Sequence, residues 1–263
     1  MKKQKGVFCI IGESFRYGLQ GSRVRGIPES FHEQELATKS QLAFFSKIRD
    51  NIDIKIKLIT YNTQYNDNLL EWFKSYDVES IIIDNPIGYD NLFNQALFLT
   101  QKENDIDFIF FLRIDLILKE KFLEVFNSNY DKIIYPSICW ITSFLNPLEV
   151  PHHKTWAKNR HRINDLMLFI PKKFFNELYN GEIILTPHEA CDIMSDYLYE
   201  NVTFFLDTYH DSDTYKDRNP LYKVANRPET EKWYSEGYRI GENPILDDSK
   251  TYSNIFNNEK ILI

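Results

Sequence analysis

The chain has 263 residues, of which 43% are hydrophobic and 15% aromatic, with a formal net charge of -7. That size and apolar content suffice for a sizeable core in one large domain or a domain with a lobe. The acidic balance argues against broad, non-specific nucleic-acid binding and leaves room for a local basic pocket. Cys9, Cys139 and Cys191 form an odd, sparse set and not a disulfide framework; Cys9 and Cys191 sit in apolar patterns and read as core residues. The start, MKKQKGVFCIIGES, is basic then apolar, but its apolar part is too short for a signal peptide and lacks a small-residue cleavage site. No apolar run reaches the length of a membrane span. The expectation is a cytoplasmic protein.

Residues 7–11 predict a first strand that closes on Gly12, and a long loop follows, GESFRYGLQGSRVRGIPES. Ser30-Phe31-His32-Glu33 reads as a capping box, with a helix running to about Ile48. Residues 54–61 predict a second strand. Asn66 or Asp67 can cap a short helix carrying Leu69, Leu70 and Phe73. Residues 80–83 predict a third strand, ended by Asp84-Asn85-Pro86, and Asp90 can cap a helix with Leu92, Ala96 and Leu99 on one face. Residues 108–112 predict a fourth strand. This alternation of strand and helix gives a parallel sheet with right-handed crossovers. It also puts the Gly12 loop and the end of the fourth strand on the same carboxyl edge.

The second half is less regular. Residues 119–126 predict a helix with Phe122 and Phe126 inward, and residues 132–135 a short strand. Residues 138–163 have no clean period and carry Trp140, His152, His153, Trp156 and His161. Residues 166–170 predict a strand, Pro171 starts a helix ending near Gly181, and Thr186-Pro187-His188-Glu189 is a second capping box opening a helix to about Glu200. Residues 202–206 predict a last strand. No repeat or low-complexity linker divides the chain, so one domain over 1–263 is expected, with a first half to about 135 and a second from 136 onward.

The stretch DFIFFLRIDLIL, residues 107–118, is the most informative. It is a buried-type strand broken by Arg113 and Asp115. Charges are costly inside such a strand. Either both lie in the crevice beyond its carboxyl edge, where open α/β sheets bind ligands, or each has a paired partner. An acid there can hold a divalent metal and an arginine can hold phosphate. The first loop adds Arg16, Arg23 and Arg25 among Gly12, Gly18, Gly21 and Gly26. Neither a GxGxxG fingerprint nor a GxxxxGK[ST] loop is present. The histidine pair has no second Cys or His pair at zinc spacing, and the aromatic middle segment suits stacking on sugar rings.

These residues resemble the GT-A-type nucleotide-sugar glycosyltransferases. The fold implied is α/β and GT-A-like, a mostly parallel central sheet flanked by helices with an irregular acceptor-side segment. The family carries Asp-x-Asp at the fourth strand's end. Here the turn is Arg113-Ile114-Asp115, so Asp115 matches the last acid and Arg113 replaces the first, which puts dependence on Mn²⁺ or Mg²⁺ in question. The resemblance implies transfer of a sugar from a nucleotide-sugar donor to a glycan or glycolipid acceptor, with inversion, in surface polysaccharide or lipopolysaccharide assembly. It implies no nucleic-acid partner, at most peripheral contact with the inner membrane, and leaves a homo-oligomer open. The nucleotide is expected near Gly12, Glu13, Asp84 and Asn85, with Arg16, Arg23, Arg113 and Arg218 at the diphosphate or sugar. Asp115 and His210 are the metal-ligand candidates. Glu189 or Asp165 is the candidate base for the acceptor hydroxyl. The alternatives are a nucleotidyl- or phosphoryl-group transferase on a similar sheet and a non-catalytic glycan-binding module.

Overall fold

The computed structural model describes residues 2–18, 24–103, 105–139, 166–183, 185, 200–210, 221–225 and 260–263. Its centre is a seven-stranded sheet. Strand β1 spans Gln4–Gly12; β2 (Arg16–Tyr17) and β3 (Val24–Arg25) form a small antiparallel hairpin after it. Helix α1 (Pro28–Ile48), β4 (Ile52–Tyr61), α2 (Asn66–Phe73), β5 (Asp77–Ile83), α3 (Tyr89–Thr100) and β6 (Phe108–Arg113) complete the alternating half. Then come β7 (Leu116–Leu118), α4 (Glu120–Val125), β8 (Ile133–Cys139), β9 (Met167–Pro171), α5 (Phe175–Tyr179), β10 (Val202–His210) and β11 (Tyr222–Val224).

The order across the sheet is β10-β8-β9-β6-β1-β4-β5. All strands run parallel except β9, which is antiparallel to both β6 and β8. The expected α/β class, a mostly parallel sheet flanked by helices, is therefore observed. Because successive strand residues face opposite sides, β1 feeds two cores. Phe8 and Ile10 pack with Phe44 and Phe45 of α1, Leu69 and Phe73 of α2 and Phe122 of α4. Val7, Cys9 and Ile11 pack with Leu92, Phe93 and Ala96 of α3 and with Phe175 and Leu178 of α5. Cys9 is fully buried, and burial holds its thiol protonated.

Three local expectations are corrected. Helix α1 starts at Pro28, two residues before Ser30, with no side-chain cap at Ile27. Proline at the first helical position needs no N–H partner there, and the Ser30 hydroxyl instead donates to the Ile27 carbonyl at 2.7 Å. Asp90 lies in the first turn of α3, whose cap is Gly88. The segment after Pro171 is a 3₁₀ turn, Lys172–Phe174, followed by the short α5. The strands β2, β3, β7 and β11 were not foreseen; each is two or three residues long and is held by a partner distant or hairpin-linked in the chain rather than by its own pattern. No described helix is long and apolar enough to cross a membrane.

Candidate active site

The chain reverses its direction of strand addition at β1: β4 lies on one side and β6 on the other. Ligands bind outside the carboxyl ends of strands at such a switch point. Register decides what meets there. Ile11 pairs with Arg113 and Gly12 pairs with Thr60, so the first loop leaves the sheet directly beside the arginine turn. Gly12 has φ +131, and a Cβ on it would lie 3.3 Å from Ile114 Cγ2. Only glycine lets the backbone pass this close to the turn.

Buried polar groups fasten the two segments. The Thr60 hydroxyl donates to the Gly12 carbonyl at 2.8 Å and accepts from the Ser14 N–H at 3.1 Å. The Ile114 N–H donates to the Ile11 carbonyl at 2.9 Å. From α1, the Gln34 amide accepts from the Phe15 N–H at 3.0 Å and donates to the Ile114 carbonyl at 3.0 Å. One helical face further on, Gln41 Nε2 lies within hydrogen-bond distance of the carbonyls of Arg113 (3.2 Å), Ile114 (3.2 Å) and Leu116 (3.0 Å). Gln34, Gln41 and Thr60 were not singled out in the sequence. The available signal was a row of polar residues, Ser30, Gln34, Thr38 and Gln41, recurring at helical spacing ahead of the apolar Phe44 and Phe45. Such a face fits backbone carbonyls and N–H groups better than apolar side chains.

Arg113 and Asp115 form a two-pronged ion pair. Arg113 Nε donates to Asp115 Oδ1 at 2.7 Å and Nη2 donates to Oδ2. The Asp115 side chain is 4% exposed and that of Arg113 12%. Of the two expected placements, the paired one is observed. The expectation of Asp115 as a metal ligand meets a carboxylate that already accepts from a guanidinium. A divalent ion takes several oxygen ligands, but both Asp115 oxygens already accept from a guanidinium, and no group of three or more His, Cys, Asp or Glu able to hold a metal occurs among the described residues.

Glu13 and Arg16 face each other at 3.8 Å, both mostly buried. Arg25, opposite Arg16 in the hairpin, lies with its guanidinium carbon 4.7 Å from the centre of the Tyr61 ring. The Tyr61 hydroxyl accepts from the Ile87 N–H at 3.3 Å, which draws the loop after β5 toward the same edge. Asp84 accepts from Asn62 Nδ2 at 2.9 Å, and Asp84 and Asn85 are exposed. Gly12 thus lies against the Arg113 turn, with Glu13 and Arg16 following it on the first loop, while Asp84 and Asn85 stand two strands away from β1, about 10 Å at ordinary strand spacing. Arg23, Asp165, Glu189 and Arg218 lie outside the described residues, as do Trp140, His152, His153, Trp156 and His161. His210 closes β10, and its side chain is likewise outside the described set.

No protein-family model matches the chain, and no curated protein does. Solved structures similar to it include the galactosyltransferase LgtC in complex with donor and acceptor sugar analogs: 12% identity, TM-score 0.42, covering 76% of this chain and 73% of that one. Another is the inositol-1-phosphate CTP transferase from T. maritima, at 13% identity and TM-score 0.43, covering 77% and 86%. A third is 4-diphosphocytidyl-2C-methyl-D-erythritol synthase from Anaerococcus prevotii, at 11% identity and TM-score 0.44, covering 77% and 89%. Glycosyl and nucleotidyl transferases both stand among these structures, and at such values the likeness concerns the course of the backbone alone.

Proposed function

We propose that the protein is a glycosyltransferase that takes a sugar from a nucleotide-sugar donor at the switch point between β1 and β6. The observation that carries this reading is the register pairing Ile11 with Arg113, which sets a glycine loop bearing Arg16 beside an arginine turn at a sheet's carboxyl edge. The nucleoside lies toward Asp84 and Asn85, and the diphosphate toward Arg16, Arg23 and Arg113, with Arg218 from the second half. Asp115 holds the Arg113 guanidinium in one orientation. The leaving diphosphate gains negative charge as the bond to the anomeric carbon breaks, and fixed guanidinium groups lower the energy of that state. The acceptor hydroxyl attacks the opposite face of the anomeric carbon and gives its proton to Glu189 or Asp165, so the product is inverted. A glycan or glycolipid acceptor in surface-polysaccharide assembly fits this chemistry, with the protein in the cytoplasm or at the inner membrane surface.

Melting curves with UDP, GDP, CDP and CMP, each with Mn²⁺ and with EDTA, test the reading. One nucleoside diphosphate should raise the melting temperature in both conditions, since a ligand of the folded state stabilises it by mass action. The Arg113→Ala variant should lose about tenfold in affinity, or ~1.4 kcal/mol. Absence of any shift sinks the proposal. Pyrophosphate release from a nucleoside triphosphate and a sugar phosphate would replace it with nucleotidyl transfer.

A further inference from the structure

We infer that Gln34 is a positioning residue that sets Arg16 and Arg113 relative to each other, an inference that rests on the nucleotide-binding reading above. Its side-chain amide has one partner on each side of the switch point: the Phe15 N–H and the Ile114 carbonyl, both at 3.0 Å. Phe15 immediately precedes Arg16, and Ile114 immediately follows Arg113. One rigid amide thus fixes the backbone next to both arginines.

Three further observations support the role. Phe15 has φ +50, a left-handed conformation that a bulky residue holds only when its surroundings impose it. The Gln34 oxygen holds its N–H, and the Gly26 N–H holds its carbonyl at 2.9 Å, closing the hairpin. Gln34 is 1% exposed, so any effect on a ligand acts through its partners. On the turn side, the Ile114 carbonyl sits between Gln34 and Gln41, and the Gln41 oxygen is buried with no hydrogen bond among the described residues. An unpaired buried oxygen is costly, so Gln41 is placed for its donors to the turn. Gln41 holds only the turn, whereas Gln34 holds turn and loop together.

The test is a double-mutant cycle on the full chain. UDP, GDP and CDP are titrated calorimetrically into the wild type, Gln34→Met, Arg113→Ala and the double variant, each below its melting range. Gln34→Met keeps the side-chain length and removes both bonds. It should weaken diphosphate binding about tenfold, and Arg113→Ala with Gln34→Met should bind within about twofold of Arg113→Ala alone, since coupled residues are not additive. A merely structural residue would lower the melting temperature and leave the folded protein's affinity alone. Should Gln34→Met not fold, amide exchange in the wild type decides: saturating nucleoside diphosphate should slow the Phe15 and Ile114 amides together, by about fivefold or more on the same scale of coupling. Additive losses, an unchanged Gln34→Met affinity, or protection of only one segment overturns the inference. A wild type that binds none of the three overturns the nucleotide reading itself, and the coupling with it.

Discussion

A carboxylate that is 4% exposed survives inside a protein because its charge is matched, and Asp115 is matched by two donors of a single guanidinium. A planar fork against a carboxylate is the strongest geometry available to this pair. Removing one partner leaves the other charged and largely dehydrated. Asp115→Asn should therefore lower unfolding stability by about 3 kcal/mol, somewhat less than a fully sealed pair because Arg113 retains some solvent. Urea unfolding measures it; a loss under about 1 kcal/mol would show that water carries most of the burden.

Elements are placed here by their ends. Helix α3 begins after Gly88, at φ 82 and ψ 160, a region essentially reserved for glycine. A Cβ added there meets nothing within 4 Å, so no clash would confuse the result. Gly88→Ala should cost about 1–3 kcal/mol through backbone strain alone. Thermal unfolding checks it, and a neutral outcome would mean that the turn re-forms with another φ. The neighbouring Ile87 N–H donates to Tyr61, so re-forming would also disturb the edge on which Arg25 lies. Helix α1 shows the complementary principle: its apolar positions Phe44 and Phe45 dock it on the sheet, and its polar positions Gln34 and Gln41 dock the site onto it.

At the scale of the molecule, the sheet has two chemically distinct ends. Away from the carboxyl edge, Lys57 of β4 is 5% exposed and bonds Glu79 of β5 at 2.6 Å and Glu103 after α3. Burial pushes the Lys57 ammonium down, but bonds to Glu103 and Glu79 outweigh it and hold it above its ordinary 10.5. Burial pushes Glu103 up, but Lys55 and Lys57 outweigh it and hold it below its ordinary 4.5. A lowered carboxylate contributes stability above 4.5 and loses it as pH falls; a raised ammonium contributes below 10.5 and loses it as pH rises. The stability profile should be flat from about pH 5 to 9 and fall on both sides, the alkaline fall beginning with the buried Cys9 thiol, and Lys57→Met should shrink the part of it above about pH 10. Denaturant unfolding across pH reads this out; an alkaline limb unchanged in Lys57→Met would assign it to the buried Cys9 thiol and the half-buried Tyr76, Tyr130 and Tyr179, whose thiol and hydroxyls burial pushes up.

The alternating half was legible from residues 7–112 because each strand there is a short apolar run and each helix a 3.6-residue pattern, both local properties. So was the place of Arg113, since a charge ending such a run marks a strand's edge. Three things were decided only in three dimensions. Asp115 turned back onto Arg113, because desolvation favours the nearest matching charge over an open position. Strand β9 entered antiparallel between β6 and β8, a choice of pairing that no local pattern encodes. And Gln34, one polar residue among many in α1, acquired its place by sitting between two segments 99 positions apart in the chain, Phe15 and Ile114. Periodicity fixes which face of an element is buried; only the fold determines which backbone groups wait there for a partner.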